Sequence, residues 1–317
     1  MRAVVIDRFG SPEELHVAEL PTPEPREGEV LIKVAAAGVN PIDYKMRDGS
    51  SKVVADVGPD AFPVVLGREA SGVVEAVGAG VGHVGPGDTV FAINGHGCLH
   101  GSYAEYAVFP AEGVVPAPAG IDTDTLAGTP LAGLTAWAAV HDLAKVTSDD
   151  VVLVHGGGGG VGQMIVQLCV AAGATVYATA SARNHERLQA LGATHVDYTT
   201  EDFTQVTPRP SVIIDGVWFG TYEPSMDHLA EGGRLVILPT LADLEPARER
   251  GIDVSVVSFV PDPDRLTALA GMLADGTLTV EVGAVFRLEE AADAHRLLED
   301  GHAKGKVVLR VASPLDT

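Results

Sequence analysis

Cysteine is scarce in this sequence, which contains only Cys98 and Cys169 among its 317 residues. Two cysteines form at most one disulfide, and they cannot provide the four thiolates of a structural zinc site. We therefore interpret both side chains as free thiols.

Basic residues are also few: there are 21 lysines and arginines against 43 aspartates and glutamates, which gives a formal net charge of −22. Such an anionic surface repels the phosphate backbone of a nucleic acid and the headgroups of anionic lipids. No basic run interrupts it. The composition therefore predicts that the protein does not bind nucleic acid.

Long apolar runs are missing as well. Stretches such as residues 151–154 and 212–214 are far shorter than the roughly 20 residues that span a bilayer. The first ten residues, MRAVVIDRFG, alternate like a strand and lack the basic and apolar regions of a signal peptide. We expect a soluble, cytoplasmic protein with no membrane partner.

The residues that are present predict two domains, because 46% are hydrophobic and the chain is longer than one core usually organises. Up to about residue 120, short β-like runs such as EVLIKVAAAGV are separated by Pro and Gly clusters, which is typical of a compact β-barrel. From about residue 121, strands such as VVLVH alternate with helical stretches, which indicates a parallel sheet covered on both faces. The closing strand KVVLRV is expected to return to the first domain.

A glycine-rich turn joins VVLVH to a helical stretch and contains Gly157-x-Gly159-x-x-Gly162. In this context the motif is the dinucleotide-binding fingerprint: a tight turn, a close approach for the pyrophosphate, and close packing of helix on strand. The first helical amides, those of Gly160 and Val161, would face the diphosphate. Five consecutive glycines are also typical of a flexible loop, but the flanking strand and helix favour the cofactor site.

The end of the second strand predicts which cofactor is bound. NAD enzymes carry an acidic residue there, about 20 positions after the glycines, and Ser181 takes its place in ATASARNHE. Arg183 and His185 follow. A polar, cationic segment without a carboxylate favours the 2′-phosphate of NADPH, whereas the alternative is that Arg183 is an ordinary solvated residue at a helix start.

Seven segments, in this order, resemble a known family: GEVLIKVAAAGVNPIDYKMRDG, VLGREASGVVEAVG, GSYAEYAVFP, LAGLTAW, VHGGGGGVGQMIVQL, LGATHVDY and KGKVVLRV. Over nearly its whole length the chain is similar to the zinc-free quinone oxidoreductase branch of the medium-chain dehydrogenase/reductases. The resemblance implies an α/β protein with a GroES-like β-barrel catalytic domain, residues 1–121 and 263–317. It also implies a Rossmann domain with a doubly wound parallel sheet for NADPH, residues 122–262, and a homodimer.

The resemblance also implies a place for Tyr198, near the 2′-phosphate of the cofactor. The alternative is a tyrosine at a strand end that packs on the sheet. Thr135 in GLTAW is expected either to hydrogen-bond to the cofactor or to bond to its own helix backbone.

Zinc-dependent members of the superfamily hold their catalytic metal with a cysteine after an early glycine, a histidine in a GHE motif and a later cysteine. The matching positions here are Asn40, Arg68 and an apolar residue near Ala132, and none is a plausible zinc ligand. We therefore predict no catalytic metal. The segment NGHGCLHG leaves one alternative, an adventitious site, because alternation on a strand would place His96, Cys98 and His100 on one face.

The segment NPIDYK, residues 40–45, supplies amide, phenol and ammonium groups where the resemblance places the nicotinamide. Without a Lewis acid, positioned donors must stabilise the charge that develops on a substrate oxygen. We expect Asn40 and Tyr44 to orient that oxygen and Lys45 to contribute positive potential or a proton. A packed Tyr44 and a solvated Lys45 are the alternatives. Asp43 is expected to cap a following helix, and the alternative is that it fixes Lys45.

The predicted reaction follows from the lack of zinc ligands, because no Lewis acid would then polarise a substrate carbonyl. Hydride addition to a conjugated system spreads charge over more atoms than simple carbonyl reduction, so the predicted substrate is a quinone or an α,β-unsaturated ketone. The alternatives are an enoyl-thioester reductase and a non-catalytic NADPH-binding redox sensor. The apolar strand DVSVVSFV could end the sheet at an exposed edge, through which the expected homodimer would pair.

Overall fold

The computed structural model describes residues 1–95, 98–239, 242–258, 260–301 and 303–311. The chain divides into two compact units. One unit consists of Met1–Leu131, Val260–Gly276 and Val280–Thr317, and the other consists of Ala132–Phe259 and Thr277–Thr279. None of the helices in the described ranges is long and apolar enough to cross a membrane.

Strands dominate the first unit and alternate with helices in the second. The described strands are β1 (Arg2–Ile6), β2 (His16–Glu19), β3 (Glu29–Val39), β4 (Val64–Val65), β5 (Glu69–Val77), β6 (Thr89–Ile93), β7 (Tyr106–Pro110), β8 (Val114–Pro116), β9 (Val151–His155), β10 (Thr175–Ala180), β11 (Thr194–Asp197), β12 (Val212–Asp215), β13 (Arg234–Ile237), β14 (Asp253–Val256), β15 (Val282–Arg287) and β16 (Lys306–Arg310). The described α-helices are α1 (Pro41–Arg47), α2 (Thr123–Ala127), α3 (Pro130–Trp137), α4 (Gly160–Ala171), α5 (His185–Ala190), α6 (Phe203–Val206), α7 (Tyr222–His228), α8 (Glu245–Glu249), α9 (Pro263–Ala274) and α10 (Ala291–Glu299).

The described residues of the first unit form two sheets. The smaller has the order β2-β1-β4, and the larger has the order β15-β16-β3-β5-β6-β8, with β7 also paired to β3. The eleven residues of β3 pair with three other strands because their side chains alternate into a shared apolar core that includes Val30, Ile32 and Val34. The predicted GroES-like domain is confirmed.

The C-terminal strand β16 lies beside β3 in the larger sheet. The two strands are antiparallel, with Val307 opposite Val39. This register brings Lys306, at the start of β16, next to the end of β3. The position of that lysine decides how the functional site is built.

In the second unit the described strands form one parallel sheet with the order β11-β10-β9-β12-β13-β14. All four residues of β12 are buried, as are Val152 to His155 of β9, which explains their continuous apolar sequence. The strand order reverses between β9 and β12, and in such sheets ligands bind at the carboxyl ends of the strands at this point. The predicted Rossmann-type parallel sheet is confirmed, and β14 is its edge strand within the described part of the chain.

Candidate functional site

A fully buried carboxylate, Glu69, is the centre of a polar cluster in the first unit. Its Oε1 accepts hydrogen bonds from Asn40 Nδ2 at 2.8 Å and from Lys306 Nζ at 2.9 Å. Its Oε2 accepts the backbone N–H of Leu131 at 2.6 Å, in the first turn of α3. The carboxylate of Glu69 on β5 therefore joins the N-cap of α1, the start of β16 and Leu131 at one point.

Two features of the sequence allow this cluster to form. The pairing of β16 with β3 delivers Lys306, and Gly38 leaves room for the carboxylate. A Cβ atom at Gly38 would lie 2.2 Å from Glu69 Oε1 and 2.6 Å from the carbonyl oxygen of Ala127. Only glycine fits this position of β3, because the neighbours on both sides are fixed.

The cluster holds Asn40 by both ends of its amide. Lys306 Nζ donates to Asn40 Oδ1, while Asn40 Nδ2 donates to Glu69. The residue is 2% exposed and is the N-cap of α1. Within the described part of the chain one of its two amide N–H groups has a protein partner, so the expectation that Asn40 orients a substrate oxygen concerns the other N–H and stays a prediction.

Asp43 is the third residue of α1 and completes a capping box with the N-cap residue Asn40, so it lies within the helix that it helps to cap and does not precede it. Its Oδ2 accepts the backbone N–H of Asn40 at 2.7 Å and the hydroxyl of Tyr103 at 3.1 Å. Complete burial raises the pKa of Asp43 to about 7, and the hydrogen bond from Asn40 and the charge of Arg68 oppose that rise. This carboxyl group is therefore poised to titrate near neutral pH.

Behind Asp43, buried polar side chains form a chain with a defined direction. A guanidinium only donates, so Arg47 Nη1 donates to His295 Nδ1 at 3.3 Å, and the other ring nitrogen of His295 faces Tyr103 at 3.3 Å. Arg47 also pairs with Glu299 at 2.6 Å. Burial, followed by the charge of Arg47, lowers the pKa of His295 to about 3, which keeps the imidazole neutral.

Tyr44 and Lys45 follow Asp43 on α1, and both are half-buried. Burial raises the pKa of the Tyr44 phenol, and the charges of Glu299 and Asp48 add to the rise. No hydrogen bond to the Tyr44 hydroxyl occurs within the described ranges. The phenol is therefore protonated at neutral pH and can serve as a donor.

Arg68 occupies the position of the GHE histidine and is 3% exposed. Its Nη2 donates to the carbonyl oxygen of Asn94 at 3.1 Å, whereas its Nε has no partner among the residues that the structure describes. Burial lowers the pKa of this guanidinium, and the charges of Asp43, Cys98 and Glu69 oppose the effect. A buried cation therefore stands beside the Glu69 cluster.

The NGHGCLHG segment is only partly described. His96 lies outside the described residues, so the proposed sharing of a face by His96, Cys98 and His100 stays a prediction. The thiol of Cys98 donates to the carbonyl oxygen of His100 at 3.4 Å, and burial raises its pKa. Within the described ranges, no group of three or more His, Cys, Asp or Glu side chains could hold a metal ion.

The glycine turn in the second unit has a division of roles that the sequence only partly predicted. The positive φ of +80° belongs to Gly156, so the tight turn lies one residue before Gly157. Gly157 is instead needed for packing, because a Cβ there would lie 2.8 Å from the Cβ of Ala178. A run of five glycines has no side chains from which these two roles could be told apart.

The turn fits a dinucleotide diphosphate. A Cβ at Gly159, the N-cap of the twelve-residue helix α4, would meet only the oxygen of Gly156 at 3.4 Å, so its outer side is open. Gly160 and Val161 begin the helix, where unpaired amides and the helix dipole favour an anion. A Cβ at Gly162 would lie 2.0 Å from Gly156 O, which explains the third glycine.

The polar residues below the turn were missed by the sequence analysis. His155, the last residue of β9, is buried with Nδ1 at 3.1 Å from Thr179 Oγ1 and Nε2 at 3.0 Å from Ser225 Oγ. Burial lowers the pKa of His155 to about 4. The carbonyl oxygen of Thr179 also accepts a hydrogen bond from the backbone N–H of Gly157 at 3.0 Å. This bond fixes the glycine turn to β10. A histidine that ends a buried strand was the only sequence signal.

The predicted 2′-phosphate residues lie at the end of β10 and β11. Ser181 follows β10 directly, and Arg183 is exposed in the short 3-10 helix after it. Tyr198 follows β11 and is 63% exposed. Thr135 is half-buried on α3. These positions do not by themselves test the predicted contacts with a cofactor.

Comparisons with known proteins agree with this architecture. A family model described as alcohol dehydrogenase GroES-like domain matches residues 26–119, and one described as zinc-binding dehydrogenase matches residues 191–309. The chloroplastic NADPH-dependent alkenal/one oxidoreductase of Arabidopsis thaliana is 33% identical, covering 98% of this chain and 79% of that protein.

Two solved structures extend the similarity over the whole fold. The quinone oxidoreductase from Coxiella burnetii is 38% identical, with a TM-score of 0.92 over 98% of this chain and 99% of that chain. The Escherichia coli quinone oxidoreductase complexed with NADPH is 26% identical, with a TM-score of 0.86 over 98% of this chain and 100% of that chain. The chain therefore belongs to the medium-chain dehydrogenase/reductase superfamily of oxidoreductases, in its quinone oxidoreductase-like branch.

Proposed function

We propose that this protein is an NADPH-dependent oxidoreductase that reduces a quinone or an α,β-unsaturated ketone without a catalytic metal. The observation that carries the proposal is the chemistry at the positions where zinc-dependent members have ligands. Asn40 carries an amide bonded to Glu69 and Lys306, and Arg68 carries a guanidinium. Zinc takes thiolate, imidazole or carboxylate ligands, and a guanidinium repels it. The third position, Ala132, has no donor atom in its side chain.

NADPH is the cofactor that the residues favour. When bound, it would supply the hydride. We propose that the amides at the start of α4 hold its diphosphate above Gly159, while Ser181, Arg183 and Tyr198 contact its 2′-phosphate. An acidic side chain at the position of Ser181 would repel that phosphate, and none is present. The related proteins from Arabidopsis thaliana and Escherichia coli are respectively named NADPH-dependent and described as complexed with NADPH.

The residues of α1 would act on the substrate oxygen. We propose that the free amide N–H of Asn40 and the hydroxyl of Tyr44 donate to it, and that Lys45 adds positive potential. Such preorganised donors stabilise the negative charge that develops there after hydride addition. The Glu69–Lys306 pair would keep the Asn40 amide in one orientation, so the amide would not need to reorient during the reaction.

The substrate class is supported by the names of the relatives, which are quinone and alkenal/one oxidoreductases. A conjugated acceptor also fits a site that offers hydrogen bonds in place of a strong Lewis acid.

A homodimer through the edge strand β14 is part of the same proposal. Light scattering at micromolar concentration tests it, and a monomer would contradict it.

Turnover assays on protein treated with a chelator test the function directly. NADPH oxidation would be followed with benzoquinone, naphthoquinone, a simple enone and crotonyl thioester, with metal content measured on the same sample. We expect turnover of a quinone or the enone, and no increase when zinc is restored. Preferred turnover of the thioester would favour an enoyl-thioester reductase. Tight NADPH binding without turnover would favour a redox sensor.

A further inference from the structure

Two histidines are in direct contact beside the end of β10. His185 begins α5 and His195 lies on β11, and their Nδ1 atoms are 3.1 Å apart. The rings meet edge to face, with centroids 5.1 Å apart and an interplanar angle of 80°. The second ring nitrogen of His195, Nε2, lies 3.0 Å from the carbonyl oxygen of Ala180.

These contacts fix where the protons of the pair reside. A carbonyl oxygen only accepts, so Nε2 of His195 carries a hydrogen, and in neutral His195 the Nδ1 atom is an acceptor. His185 must then donate from its own Nδ1. Only one hydrogen fits between the two Nδ1 atoms. The pair can therefore gain one proton, and that proton goes to Nε2 of His185.

The position of the pair points to an anionic ligand. Ala180 is the last residue of β10, and the next residue, Ser181, occupies the place where NAD enzymes carry the acidic residue that holds the ribose. His185 is exposed, and its Nε2 has no hydrogen-bond partner within the described ranges. A protonated His185 would thus present an N–H donor and a positive charge to solvent, on a histidine pair that is anchored to the residue before Ser181.

The charged groups around the pair are of both signs. Arg183 lies on the 3-10 helix before α5, Glu186 follows His185 on α5, and Asp197 ends β11 two residues after His195. Hydrogen bonds from Thr199 lower the pKa of Asp197, and His195 makes the smallest contribution to that lowering. A bound phosphate dianion would add two negative charges close to the histidine pair. Its binding would therefore favour the protonated form of the pair.

We propose that the His185–His195 pair binds the 2′-phosphate of NADPH and takes up one proton from solvent when it does so. The proposal rests on NADPH being the cofactor. His195, anchored by Ala180, orients His185 by accepting its Nδ1 hydrogen, and His185 Nε2 donates to a phosphate oxygen. NADH has no phosphate at this position, so it binds without proton uptake.

The test is calorimetric titration of the full-length protein with NADPH and with NADH, in Pipes and in Tris at pH 7, with EDTA present. These buffers differ in their enthalpy of ionisation, so proton uptake appears as a buffer-dependent enthalpy. We expect a net uptake of at most one proton for NADPH, which is the number of hydrogens that the pair can gain, and none for NADH. We also expect NADPH affinity to rise as the pH falls from about 8 to about 6, while NADH affinity stays constant.

Variants separate the pair from other sources of protons. His185→Gln should abolish the buffer dependence and weaken NADPH binding roughly tenfold at pH 6. His195→Leu, which removes the acceptor that orients His185, should reduce the uptake. His16→Gln changes an exposed histidine on β2 and should leave the uptake unchanged. Unchanged NADH affinity in the first two variants shows that the fold is retained.

Each outcome distinguishes this inference from the proposed function. NADPH binding more tightly than NADH, with equal enthalpies in both buffers, would overturn the histidine pair and leave the cofactor assignment standing. Uptake that persists in His185→Gln would also overturn it. Equal affinity for both nucleotides, or no binding of either, would overturn the proposed NADPH dependence and this inference together.

Discussion

Lys306 donates a hydrogen bond to the side-chain oxygen of Asn40 although 266 positions separate the two residues in the sequence. The contact exists because β16 returns to pair with β3, and it also places the lysine against Glu69. A charge that is buried with a hydrogen-bonded counter-charge is tolerated, but either charge left alone is strongly destabilising. The fold of the first unit and the orientation of Asn40 therefore depend on the same three side chains.

Replacing Lys306 with methionine should lower the free energy of unfolding by about 3–5 kcal/mol, because the buried carboxylate of Glu69 would lose its hydrogen-bonded counter-charge. The matched control is Lys304→Met, which removes a surface pair with Glu281 and should change stability by less than about 1 kcal/mol. Urea denaturation of both variants measures the difference. Equal stability of the two variants would contradict the role of the buried pair.

The sequence predicted those parts of the site that depend on neighbouring residues. The glycine turn and the capping role of Asp43 were found because each involves residues a few positions apart, with the backbone connecting them. The Glu69 cluster was not found because its members come from four distant segments, and Lys306 looked like an ordinary residue at the start of a strand. The His185–His195 contact similarly depends on how α5 lies against β11, which no local pattern specifies.

Replacing Gly38 with alanine should disturb the site without changing any polar group. The new Cβ would lie 2.2 Å from Glu69 Oε1, so the carboxylate must move away from Asn40. We expect a loss of roughly 1–3 kcal/mol in stability and a fall in kcat/KM. Gly82→Ala is the control, since nothing lies within 4 Å of its added Cβ. Wild-type thermal unfolding and kinetics in Gly38→Ala would show that the carboxylate is not confined.

The raised pKa of Asp43 predicts that the free energy of unfolding decreases as the pH rises. Burial raises its pKa from 3.8 in the unfolded chain to about 7 in the folded protein, so the folded state binds the proton more tightly. The contribution of Asp43 to the free energy of unfolding is most favourable below pH 3.8. It decreases progressively up to pH 7, and the total decrease is at most about 4 kcal/mol. Asp43→Asn should remove this loss.

The measurement compares the free energy of urea unfolding of wild type and Asp43→Asn at several pH values between 4 and 8, a range chosen to bracket the folded pKa of about 7. The difference between the two proteins should shift in favour of the variant as the pH rises. Because all other titrating groups are shared, parallel profiles would mean that Asp43 has a similar pKa in the folded and unfolded states.

Tyr44→Phe tests the proposed contact with the substrate oxygen. Loss of one donor that acts in the transition state should lower kcat/KM by roughly 10–1,000-fold. NADPH affinity should be unchanged, because the hydroxyl is proposed to contact the substrate alone. Tyr106→Phe, on another half-buried tyrosine in β7, should be nearly neutral. If the two variants have the same kcat/KM, Tyr44 has only a packing role.

Arg183→Ala tests the other half of the phosphate site. A guanidinium that pairs with a dianion is permanently charged, so its loss should weaken NADPH roughly tenfold at every pH between about 6 and 8. His185→Gln, in contrast, should have its largest effect at the acidic end of that range, because only a protonated imidazole contributes. Titrating both variants with NADPH and NADH at these two pH values separates a fixed charge from a titrating one. An equal loss of affinity for NADPH and NADH in Arg183→Ala would place the arginine outside the phosphate site, since only a contact with the 2′-phosphate can discriminate between the two nucleotides.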